Sequence, residues 1–121
     1  MGGKVLYIED NPDNVLLVRR ALEARGYNFL WAPNGLQGIE MVQSQQPDLI
    51  LLDINLPDID GYEVARRLRA NGVNLPVIAI TANALKGDAE KALAAGCDVY
   101  MSKPINIREL WSRVTTYLPA S

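Results

Sequence analysis

The chain contains no histidine. That removes histidine metal ligands, serine–histidine triads and phosphorylation on a histidine of its own. It contains a single cysteine, Cys97, so no disulfide can form within it. A lone small thiol fits a reducing, cytoplasmic setting and reads as a buried packing residue. No apolar run approaches the ~18 residues that a membrane span requires. The opening MGGKVLYIED is too short and too acidic for a secretory signal. No run of lysine and arginine appears, and the net charge is only −2. Charge therefore gives no reason to expect nucleic acid as a partner. The first apolar segment is followed by EDNPDN, which is acidic and free of glycine. A phosphate-cradling loop needs the opposite, so a nucleotide or flavin binder is disfavoured.

What the chain does have is regular alternation. Its 121 residues suit one domain, and 49% of them are hydrophobic, enough for one sizeable core. Short apolar runs alternate with segments of helical spacing. The strand candidates are Lys4–Asp10, Tyr27–Ala32, Asp48–Asp53, Pro76–Thr81 and Asp98–Met101. The second is the least apolar and is expected near an edge. Helices are expected over Pro12–Arg25, Leu36–Gln45, Gly61–Ala70, Gly87–Ala95 and Ile107–Leu118. Asn11 serves as N-cap ahead of Pro12, and Gly26 stops the first helix. Val15, Leu16, Val18 and Leu22 are taken as its inward face. Trp31 and Trp111 are expected to pack. Five βα units of this length imply an α/β fold with a parallel sheet and helices on both faces.

In such open sheets, ligands collect beyond the carboxyl ends of the strands. Glu9-Asp10, Asp53 and Thr81 stand at three of these ends, and Lys103-Pro104 lies just past a fourth. Three carboxylates, a hydroxyl and an ammonium should therefore converge. Clustered carboxylates raise one another's pKa values unless a cation joins them. Oxygen-only ligands in a partly exposed site suit Mg²⁺ or Mn²⁺. Lys103 adds a point charge, Thr81 a hydroxyl, and the backbone N–H groups of Ala82 and Asn83 further donors. Such a site suits a dianion beside Asp53, and an aspartate nucleophile on a phosphoryl group gives an aspartyl phosphate. Taken singly, each residue has a plainer reading. Glu9-Asp10 would cap a helix, Thr81 would be a β-branched strand residue, Tyr100 would be core, and Lys103-Pro104 would be a loop. Only their common phase promotes them. Asp58 and Asp60 read as turn and cap residues ahead of the helix at Gly61.

The blocks IEDN (Ile8–Asn11), LLDINLPDIDGYE (Leu51–Glu63), ITANALKGD (Ile80–Asp88) and SKPI (Ser102–Ile105) stand in fixed order on successive units. In these the chain, from Lys4 to Leu118, resembles a response-regulator receiver domain of two-component signalling. Its third and fourth blocks are similar to receivers of hybrid sensor kinases and their bacterial single-domain relatives. The resemblance implies one receiver domain over residues 1–121 with a flavodoxin-like sheet of order 2-1-3-4-5. It implies that Asp53 takes a phosphoryl group from a sensor histidine kinase or a histidine phosphotransfer protein. Glu9, Asp10, Asp53 and the backbone carbonyl of Asn55 would hold Mg²⁺. Thr81 and Lys103 would meet the phosphoryl oxygens, Tyr100 would swing with Thr81, and the bond before Pro104 would be cis. Partner binding would then change at the face made by the fourth helix, fifth strand and fifth helix. Two departures stand out: Glu9 replaces the more usual aspartate, and Asn55 occupies a position that influences phosphoryl lifetime.

On this reading the chain is a signalling switch or phosphorelay intermediate and not an ordinary enzyme. Two alternatives remain open at this stage. A metabolite phosphatase would want a second acid two residues after the nucleophile, where Asn55 stands. A phosphorylation-independent interaction module would not need the full acidic, threonine and lysine set. The chain ends at Ser121 with no output domain after it, which suits either a stand-alone protein or a receiver from a larger one.

Overall fold

A computed structural model describes residues 3–82 and 87–119. Ten elements alternate along the chain: β1 Lys4–Ile8, α1 Pro12–Glu23, β2 Asn28–Ala32, α2 Gly35–Gln45, β3 Leu49–Asp53, α3 Gly61–Ala70, β4 Val77–Thr81, α4 Asp88–Ala95, β5 Val99–Ser102 and α5 Ile107–Tyr117. The strands form one parallel sheet in the order β2-β1-β3-β4-β5. Every expected element is present, displaced by a residue or two at most ends.

The helix starts follow from side-chain caps. The Asn11 carboxamide accepts from the Asp13 N–H at 2.8 Å, and Pro12 fills the first helical position. Asn34, Asp60 and Asn106 do the same for α2, α3 and α5. The chain leaves α1 through Gly26, whose φ of 83° is left-handed.

Side chains alternate across the sheet and feed two cores. Leu6, Ile8, Ile50, Leu52, Val77 and Ala79 pack with α2, α3 and α4. Val5, Tyr7, Leu49, Leu51, Ile78 and Ile80 pack with α1 and α5. β3 is buried along its whole length, and β2 lies at the edge with only Ala32 fully covered. The inward face of α1 differs from expectation in one residue. Leu16 is exposed, and Ala21 joins Val15, Val18 and Leu22 inside. The 3.6-residue period carries residue 16 round the helix away from residues 15, 18 and 22.

The strand ends are level where it matters. Glu9 N–H donates to Ala32 O at 3.0 Å, Ile54 N–H to Ile80 O at 3.0 Å, and Lys103 N–H to Thr81 O at 2.8 Å. These bonds carry the ladder one residue past the strands, so Glu9, Asp53, Thr81 and Lys103 share one edge. Among the described residues no helix is long and apolar enough to cross a membrane.

Candidate functional site

Asp53 closes a strand whose other four residues, Leu49 to Leu52, are fully buried. Burying four such side chains stabilises by roughly 2 kcal/mol each. That offsets the several kcal/mol that a buried carboxylate costs. Behind it the chain turns back tightly. A Cβ on Gly61 would lie 2.6 Å from the Asp53 carbonyl oxygen and 2.7 Å from Ile54 Cα. The start of α3 thus rests directly on the backbone of Asp53, and only glycine permits that approach.

Around Asp53 the structure gathers the residues expected there. Carboxylate oxygens of Glu9, Asp10 and Asp53 lie within 4.8 Å of one another. Glu9 and Asp53 are buried while Asp10 is exposed, so the cluster opens to solvent on one side. Lys103 Nζ stands 3.2 Å from Asp53 Oδ1 and 3.4 Å from Glu9 Oε1. One ammonium therefore serves two buried carboxyls. The Lys103–Pro104 peptide is cis.

The electrostatic consequence is a divided pair. Burial, together with a hydrogen bond to Glu9 and the Glu9 charge, pushes the Asp53 carboxyl up to about 7 against the pull of Lys103. Burial also acts to raise Glu9, but hydrogen bonds with Asp53 and Asn14, the Lys103 charge and the Asn11 N–H hold it at about 2. Burial alone would lower the Lys103 ammonium, and the charges of Asp53 and Glu9 outweigh it and raise it. Beside a single cation the two buried carboxyls are driven apart, Asp53 upward and Glu9 downward.

Thr81 is buried at the end of β4, and its hydroxyl lies 3.4 Å from Asp88 Oδ2 at the start of α4. Burial raises the Tyr62 phenol, and the neighbouring Asp88 carboxylate adds to the shift. Tyr100 on β5 is half-buried against the α2–α4 core. The Asn55 N–H lies 3.4 Å from Asp53 Oδ1. Ala82 is exposed directly after β4. Asn83 lies outside the described residues.

Several participants were not foreseen. Tyr7 OH donates to Glu9 Oε1 at 3.1 Å, and Asn14 Nδ2 donates to the same oxygen at 2.9 Å. Trp31 Nε1 donates to the Glu9 carbonyl at 2.7 Å, and the ring is 42% exposed. The expectation that Trp31 simply packs is therefore corrected: it lies on the edge strand and ties to the acidic loop. Asp58 departs from its expected role as well. It accepts from Gly35 and Leu36 N–H at 2.8 Å each, so it caps α2, while Asp60 caps α3. Trp111 does pack, donating to Ala21 O at 2.8 Å beneath the Arg25 guanidinium. Cys97 is buried, and burial pushes its thiol up to about 11, the wrong direction for a reactive thiolate.

Comparison with known proteins bears on this arrangement directly. Residues 5–115 match the response regulator receiver domain family. The polar-differentiation response regulator DivK of Brucella anthropi is 40% identical over 120 residues, covering 98% of both chains. The receiver domain of sensor histidine kinase PA1611 from Pseudomonas aeruginosa, solved with a magnesium ion in its active site cleft, superimposes with a TM-score of 0.88. It is 39% identical, over 97% of this chain and 98% of that one. The Ssk1 receiver domain of Saccharomyces cerevisiae, co-crystallised with the histidine phosphotransfer protein Ypd1, gives 0.89 at 27% identity over 97% and 90% of the two chains. The family match and the shared fold cover nearly the whole length, and the chain belongs to the response regulator receiver domain family of two-component signalling.

Proposed function

We propose that Asp53 is the phosphoacceptor and that its phosphorylation switches the protein between partners. The observation that carries the reading is the charge arrangement. A nucleophile buried at a strand end has one ammonium at 3.2 Å and two further carboxylates beside it. As a free-standing arrangement this is electrostatically incomplete, and the missing element is positive.

The donor set fits Mg²⁺ or Mn²⁺: hard oxygens, few of them, with one open side for water. Glu9, Asp10, Asp53 and the Asn55 carbonyl would hold the ion. When bound, it would neutralise the carboxylates and the incoming phosphoryl oxygens. The chain's own residues supply the remainder. An Asp53 oxygen forms the new O–P bond while the P–N bond of a phosphohistidine breaks, and the imidazole leaves and takes up a proton. Lys103, already at the Asp53 carboxylate, pairs with a phosphoryl oxygen. The Thr81 hydroxyl, near Asp88 in this state, turns to another, and Ala82 and Asn83 offer N–H donors. Tyr100 follows Thr81 inward and reshapes the face of α4, β5 and α5. Substrate turnover is not part of this reading, because Asn55 stands where a phosphatase would place its second acid. Donors would be a sensor histidine kinase or a histidine phosphotransfer protein, and the location would be the cytoplasm.

The test is direct. Acetyl phosphate or phosphoramidate with Mg²⁺ should add one phosphoryl group by intact mass. The adduct should disappear in Asp53→Asn and with EDTA. Lys103→Ala should still fold and acquire the group slowly, without the change in partner binding. Multiple turnover of small phosphate esters, or no adduct at all, would overturn the proposal.

A further inference from the structure

The Glu9 carboxylate is held by more donors than a metal ligand needs. Oε1 receives Tyr7 OH at 3.1 Å, Asn14 Nδ2 at 2.9 Å and Lys103 Nζ at 3.4 Å. Oε2 receives the backbone N–H of Asp10 at 3.0 Å and of Asn11 at 3.4 Å. A carboxylate has about four lone-pair sites, and five donors from within the protein already reach this one, so a cation would take the place of the Lys103 ammonium or bind through water. Apart from Lys103, the two side-chain donors come from different elements. Tyr7 rises from the same face of β1, two residues before Glu9, and is fully buried. Asn14 reaches back from the first turn of α1. A phenol placed in an otherwise aliphatic strand is an expensive choice unless its hydroxyl has a partner. Here that partner is Glu9, and the bond depends on side-chain length. An aspartate is one methylene shorter and would draw the acceptor away from Tyr7.

We infer that Tyr7 and Asn14 are positioning residues that clamp the Glu9 side chain, so that this longer acid presents a fixed carboxylate to a divalent cation in the Asp53 cluster. The clamp explains why glutamate is workable at this place. Its extra torsion, free in water, is immobilised by two donors before any ion arrives. Ordered ligands bind with less loss of conformational freedom, and partners of this kind outside the ligand shell govern metal affinity.

The inference rests on the cation site of the proposed function but not on phosphorylation, and its test separates the two. In a Trp111→Phe background, Trp31 is the only indole in the chain. It hydrogen-bonds the Glu9 carbonyl and so reports on the site by fluorescence. Mg²⁺ alone is titrated. Tyr7→Phe, which removes one oxygen, should weaken Mg²⁺ about tenfold, with the far-UV spectrum unchanged. Asn14→Ala, on the more exposed side of the clamp, should weaken it severalfold and serves if Tyr7→Phe does not fold. In a Glu9→Asp background, Tyr7→Phe should change Mg²⁺ affinity by less than twofold, because the shorter acid no longer reaches the phenol. An unchanged affinity in both single variants would overturn the inference. So would an equal loss from Tyr7→Phe whether Glu9 is kept or shortened to aspartate, which would mark a general packing effect. Failure of Asp53 to take a phosphoryl group, with these affinities behaving as described, would remove the proposed function and leave the clamp standing.

Discussion

Each end of the sheet sets a partly buried cation against carboxylate oxygens, but the balance differs. At the amino ends of β4 and β5, each nitrogen of the Arg69 guanidinium donates within the protein. Its Nε donates to Gly96 O at 2.9 Å, Nη1 to Val73 O and Leu75 O at 2.8 Å, and Nη2 to Asp98 Oδ2 at 3.0 Å. Asp98 in turn accepts from Val77 N–H at 2.9 Å. One positive charge meets one negative charge, and four of the five guanidinium N–H groups have an acceptor within the protein. At the carboxyl ends, Lys103 faces both Glu9 and Asp53, with Asp10 alongside. There the negative charge is in excess. Both arrangements satisfy hydrogen bonds, and no buried side-chain polar atom among the described residues lacks a partner. What separates them is net charge. A balanced cluster is finished when the chain folds, whereas an unbalanced one is finished only when something else binds.

The comparison breaks most visibly at its balanced end. Arg69→Met would strand three carbonyls and the Asp98 carboxylate in a half-buried region. The expected loss is about 3 kcal/mol of stability, or roughly 10 °C in Tm, measured by thermal melting. Mg²⁺ affinity and the rate of adduct formation in the folded variant should not move. A change in either would mean that the two ends are coupled through the sheet and that the contrast is wrong.

At the unbalanced end the sign should reverse. In EDTA, Asp53→Asn removes a buried charge without changing shape and should stabilise by about 1–2 kcal/mol above neutral pH. The pH profile follows from the shifts. The Asp53 carboxyl is raised in the folded state from 3.8 to about 7, so the folded protein holds a proton that the unfolded chain has released. Stability should therefore fall as pH climbs between these values and level off above them. Glu9 works oppositely and lower down, adding stability as pH rises from about 2 to 4.5. Urea melts across pH 4–8 read the slope. Wild type should lose stability over that range, and Asp53→Asn should stay flat. Saturating Mg²⁺ should abolish the difference in slope. A destabilised Asp53→Asn in EDTA would show that the carboxylate cluster is structural after all.

How much of this was legible beforehand depends on the range of each interaction. The order of elements was readable because burial imposes a period of two or 3.6 on the sequence itself. The same holds for the convergence of Glu9, Asp10, Asp53, Thr81 and Lys103, since the parallel topology fixes where strand ends go. Contacts set by side-chain reach across elements were not readable. After Lys4, VLYI looks uniformly apolar, and nothing in it says that the Tyr7 hydroxyl meets Glu9. A cue was present in the two-residue spacing, which puts both on one face. Trp31 is expected to pack, yet an edge strand leaves it 42% exposed. Leu16 was placed one step too far round its helix. Asp58 was assigned to the nearest helix in sequence, when its acceptors point at a helix that precedes it by more than twenty residues.

That last residue supplies the smallest effect and the sharpest control. Asp58 lies at the carboxyl end of the sheet, beyond the acidic cluster of Glu9, Asp10 and Asp53. If location alone made a carboxylate functional, it should behave as Asp53 does. If charge balance decides, it should behave as Arg69 does, because the N–H groups of Gly35 and Leu36 meet its charge at the positive end of α2. Those backbone hydrogen bonds outweigh its slight burial and hold its carboxyl below the usual range. Its contribution should thus be present above the unfolded carboxylate pKa and vanish as pH falls through the folded value. Asp58→Ala should cost about 1 kcal/mol at pH 7, the ordinary worth of a helix cap. The loss should shrink toward zero in acid, add to the effect of Asp53→Asn, and leave Mg²⁺ affinity unchanged. A Mg²⁺ affinity that fell with Asp58→Ala would extend the unbalanced region beyond the three acids and make position, not balance, the deciding property.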